Sequence, residues 1–295
     1  MARKNSIIAG TDLSKPSRLA AQRAQRLARA LELPFVLVHT VDSFATVGAA
    51  APVHPAWGTH IGGREAGDGR AALATSARLA GGKLESWIQR SGTSPDRRRV
   101  LIGTPHKSIL TVAKAENALL VVAGVHRPTS KVASFFLGST AERLLRLGGF
   151  PTLLVRRGAE SDYKNVLIPV DFSDVGLRVM SLVEQIAPKA RYQVVHFARP
   201  LPEGDPLRLS RLSKLERALA DFVKASRVAR GRCSLRVVES EPRLGILNLA
   251  GRRGVDLVAM GTRGRRGLER FLLGGVADYV LRAAPTDVLA VPPAR

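Results

Sequence analysis

The sequence predicts two α/β domains in tandem, each a doubly wound, five-stranded parallel sheet. Three observations carry that prediction. The same order of segments occurs twice along 295 residues. Each copy alternates short β-branched runs with alanine- and leucine-rich helical stretches. The apolar runs VLIPV, ALLVVAG and DLVAMG lack the polar alternation of a half-exposed strand, as expected of strands covered on both faces.

The elements follow in order. NSIIAGTDLSKPS at 5–17 aligns with NVLIPVDFSDVGL at 165–177, with a one-residue slip that sets Asp12 on Asp171. Each acid ends a strand and is followed by an apolar residue and a serine, Leu13-Ser14 and Phe172-Ser173. A helix is predicted around Leu19 to Leu31 in the first copy. PFVLVHT at 34–40 matches RYQVVHF at 191–197 and brings His39 onto His196. A second helix is expected near 70–90 and near 207–230. GTPHKSILTVAKAENALLVVAG at 103–124 then matches SEPRLGILNLAGRRGVDLVAMG at 240–261, with Pro105 on Pro242 and Gly124 on Gly261. FPTLLV and APTDVLAV close the two copies. Alternating strands and helices with buried strands give a parallel sheet with helices on both sides, and right-handed crossovers make each copy Rossmann-like.

The polar, turn-rich segment RRGAESDYK at 156–164 marks the boundary. The domains are therefore set at 1–157 and 163–295. The first carries an insertion at 43–63, rich in Gly, Pro and Ala, which reads as a loop. Its His54 and His60 lack enough neighbouring ligands for a metal site, and no metal or catalytic residue is assigned.

Composition excludes several classes. With 45% apolar and 24% charged residues the chain is an ordinary globular one. No apolar run reaches the roughly 18–20 residues that cross a bilayer. The first strand is too short for a signal peptide. The single cysteine, Cys233, rules out an internal disulfide and is expected to pack. A cytoplasmic protein is expected. The net charge of +22 attracts phosphates and acidic partners. No helix-turn-helix, zinc finger or RNP aromatics accompany it, so direct nucleic-acid binding is not expected.

In a doubly wound sheet, ligands bind beyond the carboxyl ends of the strands where strand order reverses. Asp171 stands at such an end. So does GTRGRRGLERFLLGG at 261–275, between the strand DLVAM and the helix VADYVLRAA. Its glycines let backbone amides approach phosphate oxygens, and the helix beginning near Val276 aims its dipole at the same anion. Arg263, Arg265, Arg266 and Arg270 add cations. Asp171 can accept hydrogen bonds from a ribose or an adenine amine. His39 and His196 read as structural or pocket-lining.

The spacing Gly261-x2-Gly264-x9-Gly274 after VAMG resembles the ATP-binding signature of the universal stress protein (UspA) family, as do IPVDFSD and TDVLAV. The likeness extends over nearly the whole chain, twice. It implies ATP or another adenine nucleotide, with or without Mg²⁺, held by Pro169, Val170, Asp171, Met260, Gly261, Arg263, Gly264, Gly274, Gly275 and Val276. It also implies pairing of the two domains through their last strands, with a homodimer as a further step. Two departures stand out. Gly275 occupies the place where such family members carry Ser or Thr. In the first copy Asp12, Gly124, Gly138, Ser139 and Thr140 are kept, but Arg127 replaces the second glycine and the loop is one residue longer.

Three function classes remain open: a nucleotide-binding stress regulator, a slow ATPase, and a nucleotide-free module holding an acidic partner. The regulator is the reading preferred here. There is no P-loop and no G-x-S-x-G elbow, and phosphoryl transfer needs a metal and a positioned nucleophile.

Overall fold

A computed structural model describes residues 5–41, 66–125, 137–158, 160–226, 228, 230–252, 254–263 and 273–294, with the backbone alone for 66–73 and 230. The insertion at 43–63, Arg127, and the stretch from Gly264 to Arg270 lie outside the described residues.

In the first half the chain runs β1 (Ser6–Thr11), α1 (Lys15–Ala30), β2 (Phe35–Val41), α2 (Ala66–Ser91), β3 (Arg97–Ile102), α3 (Pro105–Ala115), β4 (Ala118–Gly124), α4 (Ser139–Leu147) and β5 (Thr152–Val155). The second half repeats the order with β6 (Asn165–Pro169), α5 (Asp174–Ile186), β7 (Arg191–Ala198), α6 (Arg208–Ala225), β8 (Cys233–Glu239), α7 (Pro242–Ala250), β9 (Leu257–Gly261), α8 (Gly275–Ala283) and β10 (Asp287–Val291). The strands form one sheet in the order β3-β2-β1-β4-β5-β10-β9-β6-β7-β8. All pairs within a half are parallel. β5 and β10 pair antiparallel, Leu153 opposite Leu289 and Leu154 opposite Val288.

The continuous apolar runs are explained by helices on both faces. Successive residues of β1 enter opposite cores: Ile7 and Ala9 join α1, α2, α5 and α6, whereas Ile8 joins α3, α4, α7 and α8. α1 meets the sheet through Ala20, Ala21, Ala24, Leu27 and Ala28, whose helical spacing and small size bring the helix close. Both copies turn from strand to helix in the same way. Leu13 and Phe172 take left-handed backbone angles (φ 66° and 61°). Ser14 and Ser173 then cap α1 and α5, their side chains accepting from the amides of Ser17 and Gly176.

Two polar assemblies join the halves, one on each face. On the α1 side, Asp287 is fully buried at the start of β10. Its Oδ1 accepts from the amides of Arg156 (2.8 Å) and Arg157 (3.0 Å), and its Oδ2 from the Tyr163 hydroxyl (2.7 Å). Arg23 of α1 lies over the Tyr163 ring at 4.2 Å and bonds the carbonyls of Gly158 and Ser161. The polar boundary segment is therefore held inward, which its composition did not predict. On the opposite face α4 and α8 meet through a four-membered charge ring. Arg282 contacts Glu142 at 3.2 Å and Arg146 reaches Asp278 at 3.8 Å. Each arginine also pairs with the acid one turn back on its own helix.

Candidate functional site

Strand order reverses between β6 and β9, so their carboxyl ends border the crevice of the second half. Pro169 ends β6. Val170 is buried in the core, and its carbonyl accepts from His196 Nδ1 at 2.9 Å. A carbonyl can only accept, so Nδ1 carries the proton. Asp171 follows, half-buried, with Oδ1 accepting from the amide (3.2 Å) and hydroxyl (2.6 Å) of Ser173. Part of the carboxylate is thus engaged in fixing the turn. The left-handed turn throws Phe172 across the His196 ring, with centroids 4.4 Å apart.

On β9, Met260 points into the core and Gly261 ends the strand. A Cβ on Gly261 would approach Val175 Cγ1 to 2.8 Å, so the packing of α5 already accounts for this glycine. Thr262 is buried, donating its amide to Val291 and accepting from the Gly274 amide at 2.9 Å. That bond closes the base of the loop. Arg263 is half-buried beside it. Gly274 is the N-cap of α8 and Gly275 and Val276 open the helix, with no side chain capping it. The first amides of a helix lack intrahelical acceptors. Arg243 of α7 lies against this end: a Cβ on Gly275 would be 3.1 Å from its Nη2. The pairing of SEPRLGIL with GTPHKSIL put Arg243 opposite His106, so the difference in charge was visible in the sequence, but its position against α8 was not.

The first half repeats the frame. His39 Nδ1 bonds the Thr11 carbonyl at 2.9 Å. Asp12 is exposed and accepts from the Ser14 amide at 3.0 Å. Partial burial works to raise the Asp12 pKa, but hydrogen bonds from Ser14 and Ser17 outweigh it and hold the carboxyl below its usual value. Gly124 is enforced by packing, since a Cβ would meet the Pro16 carbonyl oxygen at 2.2 Å. Gly138 caps α4 at φ 85°, a region that favours glycine, and Ser139 and Thr140 open the helix. His106 is buried, and desolvation together with Arg143 and Lys107 holds its pKa low.

Asp171, Gly261, Gly274, Gly275 and Val276 therefore gather at one sheet edge, and Asp12, Gly124, Gly138, Ser139 and Thr140 at the equivalent one. Val170 and Met260 contribute backbone at the strand ends while their side chains serve the core. Arg127 and Gly264 lie outside the described residues. Chemically, each site brings a carboxylate acceptor and a helix N-terminus to the same strand ends, and in the second site two arginines stand nearby. Such a set suits a ligand that carries hydroxyl or amine donors together with phosphate.

Comparison with known proteins gives the same frame. A universal stress protein of Methanocaldococcus jannaschii is 33% identical over 145 residues, 46% of this chain and 85% of that protein. The crystal structure of a universal stress protein from Archaeoglobus fulgidus superposes over 98% of this chain and 99% of its own, with a TM-score of 0.66 and 17% identity. A universal stress protein solved in complex with cAMP matches 44% of this chain and 98% of its own, at 28% identity and a TM-score of 0.34. The sequence profile of the universal stress protein family matches twice, over residues 4–156 and 162–292. The chain belongs to the universal stress protein family, with two such domains in tandem.

Proposed function

We propose that the second unit, 163–295, binds an adenine nucleotide and that its occupancy regulates a stress response. The observation that carries this reading is the convergence, at the β6/β9 switch, of Asp171 with the first amides of α8, which has a glycine N-cap. The donor set fits the ligand: amides and guanidinium groups for phosphate, a carboxylate for ribose or adenine. In this reading Mg²⁺ enters with the phosphates of the nucleotide. The first unit, 1–157, keeps the aspartate and glycines with an altered loop, and is the weaker site. The protein is cytoplasmic in this reading, and a homodimer extends the internal pairing.

A second reading is favoured by α1, which has no acid and keeps Lys15, Arg18 and Arg29 outside the core. A nucleotide-free module would use that charge to hold an acidic partner.

Calorimetric titration with ATP and Mg²⁺ at moderate salt separates the two, with pyrophosphate as the control for non-specific attraction. Saturable binding of ATP but not pyrophosphate, near one per chain, is expected. Asp171→Ala is expected to weaken it by about 10- to 100-fold, the value of a charge-assisted hydrogen bond of roughly 1.5–3 kcal/mol. Protein freed of bound nucleotide that fails to bind ATP saturably establishes the module reading instead.

A further inference from the structure

Residue 275 opens α8 where a hydroxyl would serve a phosphate, yet it is glycine. The space is not empty. Arg243 Nη2 would lie 3.1 Å and its Cζ 3.9 Å from a Cβ at that position, so a guanidinium occupies the volume that a side chain would claim. A methyl group at 275 would need the guanidinium tip to give by a few tenths of an ångström. The arginine is positioned from a separate element. Pro242 starts α7, and Glu241 caps it by accepting from the Leu244 amide at 3.1 Å. The other oxygen of Glu241 is 3.9 Å from Arg243 Nε, beyond hydrogen-bond range, and the Arg243 side chain remains 51% exposed. The guanidinium is thus steered toward α8 without being consumed. In the first copy the sequence alignment sets His106 opposite Arg243, and Ser139 opens α4 where Gly275 opens α8. A hydroxyl with an imidazole in one half is exchanged for a glycine with a full positive charge in the other.

We propose that Arg243 is a specificity-determining residue of the second site, substituting for the missing hydroxyl and selecting nucleotides with a polyphosphate tail over nucleosides and cyclic monophosphates. This inference rests on the nucleotide-binding reading above. The physical ground is charge. A helix N-terminus offers the equivalent of about half a positive charge, enough for a singly charged phosphodiester. A terminal phosphate carries nearly two negative charges, and a guanidinium beside the helix start adds a full positive charge with forked donors that match phosphate oxygens.

The experiment compares ATP, measured by calorimetry with Mg²⁺, and adenosine, measured by displacement of ATP, on the full chain. Arg243→Gln is expected to weaken ATP by about 10- to 100-fold, the range of one charge-assisted contact, and to change adenosine by less than about twofold on the same scale. Adding Gly275→Ser to Arg243→Gln is expected to recover part of the ATP affinity by restoring the hydroxyl. Equal losses for ATP and adenosine, or no loss for ATP, overturn the proposal while leaving the nucleotide site in place. A parent protein that binds neither ligand overturns both readings together.

Discussion

Replacing Asp287 by alanine removes the one acid in a buried assembly that ties the two halves together. The carboxylate accepts from two main-chain amides and one phenol, and Arg23 Nε stands 3.7 Å from it. Alanine leaves three donors without an acceptor in a place that water does not reach, at about 1–3 kcal/mol each. It also leaves Arg23 and Arg156, both nearly inaccessible, without their counter-charge. Removing one partner of a buried pair costs about 3–5 kcal/mol. These terms describe the same lost contacts and do not add, so the expected destabilisation is about 4–5 kcal/mol. Asp287→Asn keeps an oxygen for the Arg156 and Arg157 amides, and the Tyr163 hydroxyl can turn to accept from the new NH₂. What remains is the lost counter-charge of Arg23 and Arg156, about 3 kcal/mol, the low end of the cost of breaking a buried pair. Urea unfolding followed by circular dichroism reads both values. Trypsin supplies a local readout, because Arg156, Arg157 and Lys164 become cleavable once the segment is released. If both variants stay within about 0.5 kcal/mol of the parent, as ordinary surface changes do, the assembly does not hold the halves. Equal large losses in both variants would assign the effect to charge alone rather than to the hydrogen bonds.

Two further outcomes test the packing. Burial, with Arg143 and Lys107 close by, keeps His106 below its ordinary pKa of 6.5. The unfolded chain therefore takes up that proton first, and the contribution is fully present above about pH 6.5 and lost as pH falls below it; His106→Gln should flatten the decline between pH 6.5 and 5 in a chemical-denaturation series. Gly124→Ala should cost about 2–3 kcal/mol, because its Cβ meets the Pro16 carbonyl at 2.2 Å and backbone cannot swing aside. Gly261→Ala should cost about 1 kcal/mol, since the obstacle is the Val175 side chain. Thermal unfolding that ranks the two variants in the reverse order would refute the packing account of these glycines.

The fold was legible because it rests on repetition and on burial. The two copies of strand, acid, apolar residue and serine reappear as two identical turns, down to the left-handed angles at Leu13 and Phe172. The unbroken runs in β4, β6 and β9 reappear as strands covered on both faces. What the sequence concealed depends on distant segments meeting. RRGAESDYK reads as a polar boundary because composition cannot reveal that Asp287, far along the chain, accepts from its amides and from Tyr163. Glycines after a strand fit both a phosphate cradle and a tight helix contact. Only the positions of Pro16 and Val175 give Gly124 and Gly261 a packing reason. Arg243 was hidden for a related cause: its neighbour at Gly275 belongs to a different helix.

The duplication keeps some paired positions and alters others. At the contact of α4 with α8 the pattern is kept, Glu142 and Arg146 answering Asp278 and Arg282. At the helix starts that face the candidate sites it is not, with Ser139 against Gly275 and His106 against Arg243. The junction is the costlier place to change. Pulling β5 from β10 would bare Leu153, Leu154, Val288 and Leu289, all fully buried, and would create two apolar edge strands. A ligand shifts an equilibrium only by its differential affinity for the two states. Contacts at Asp171 and α8 would have to offset that whole exposure to part the halves. A ligand at either sheet edge would therefore act on the surface around it rather than by separating the domains. Because β5 and β10 run antiparallel, the two candidate sites open at opposite edges of the sheet. α4 and α8, which begin at the two candidate sites, both contribute to the charge ring, so a displacement of α8 at its N-terminus would bear on α4 through these ion pairs.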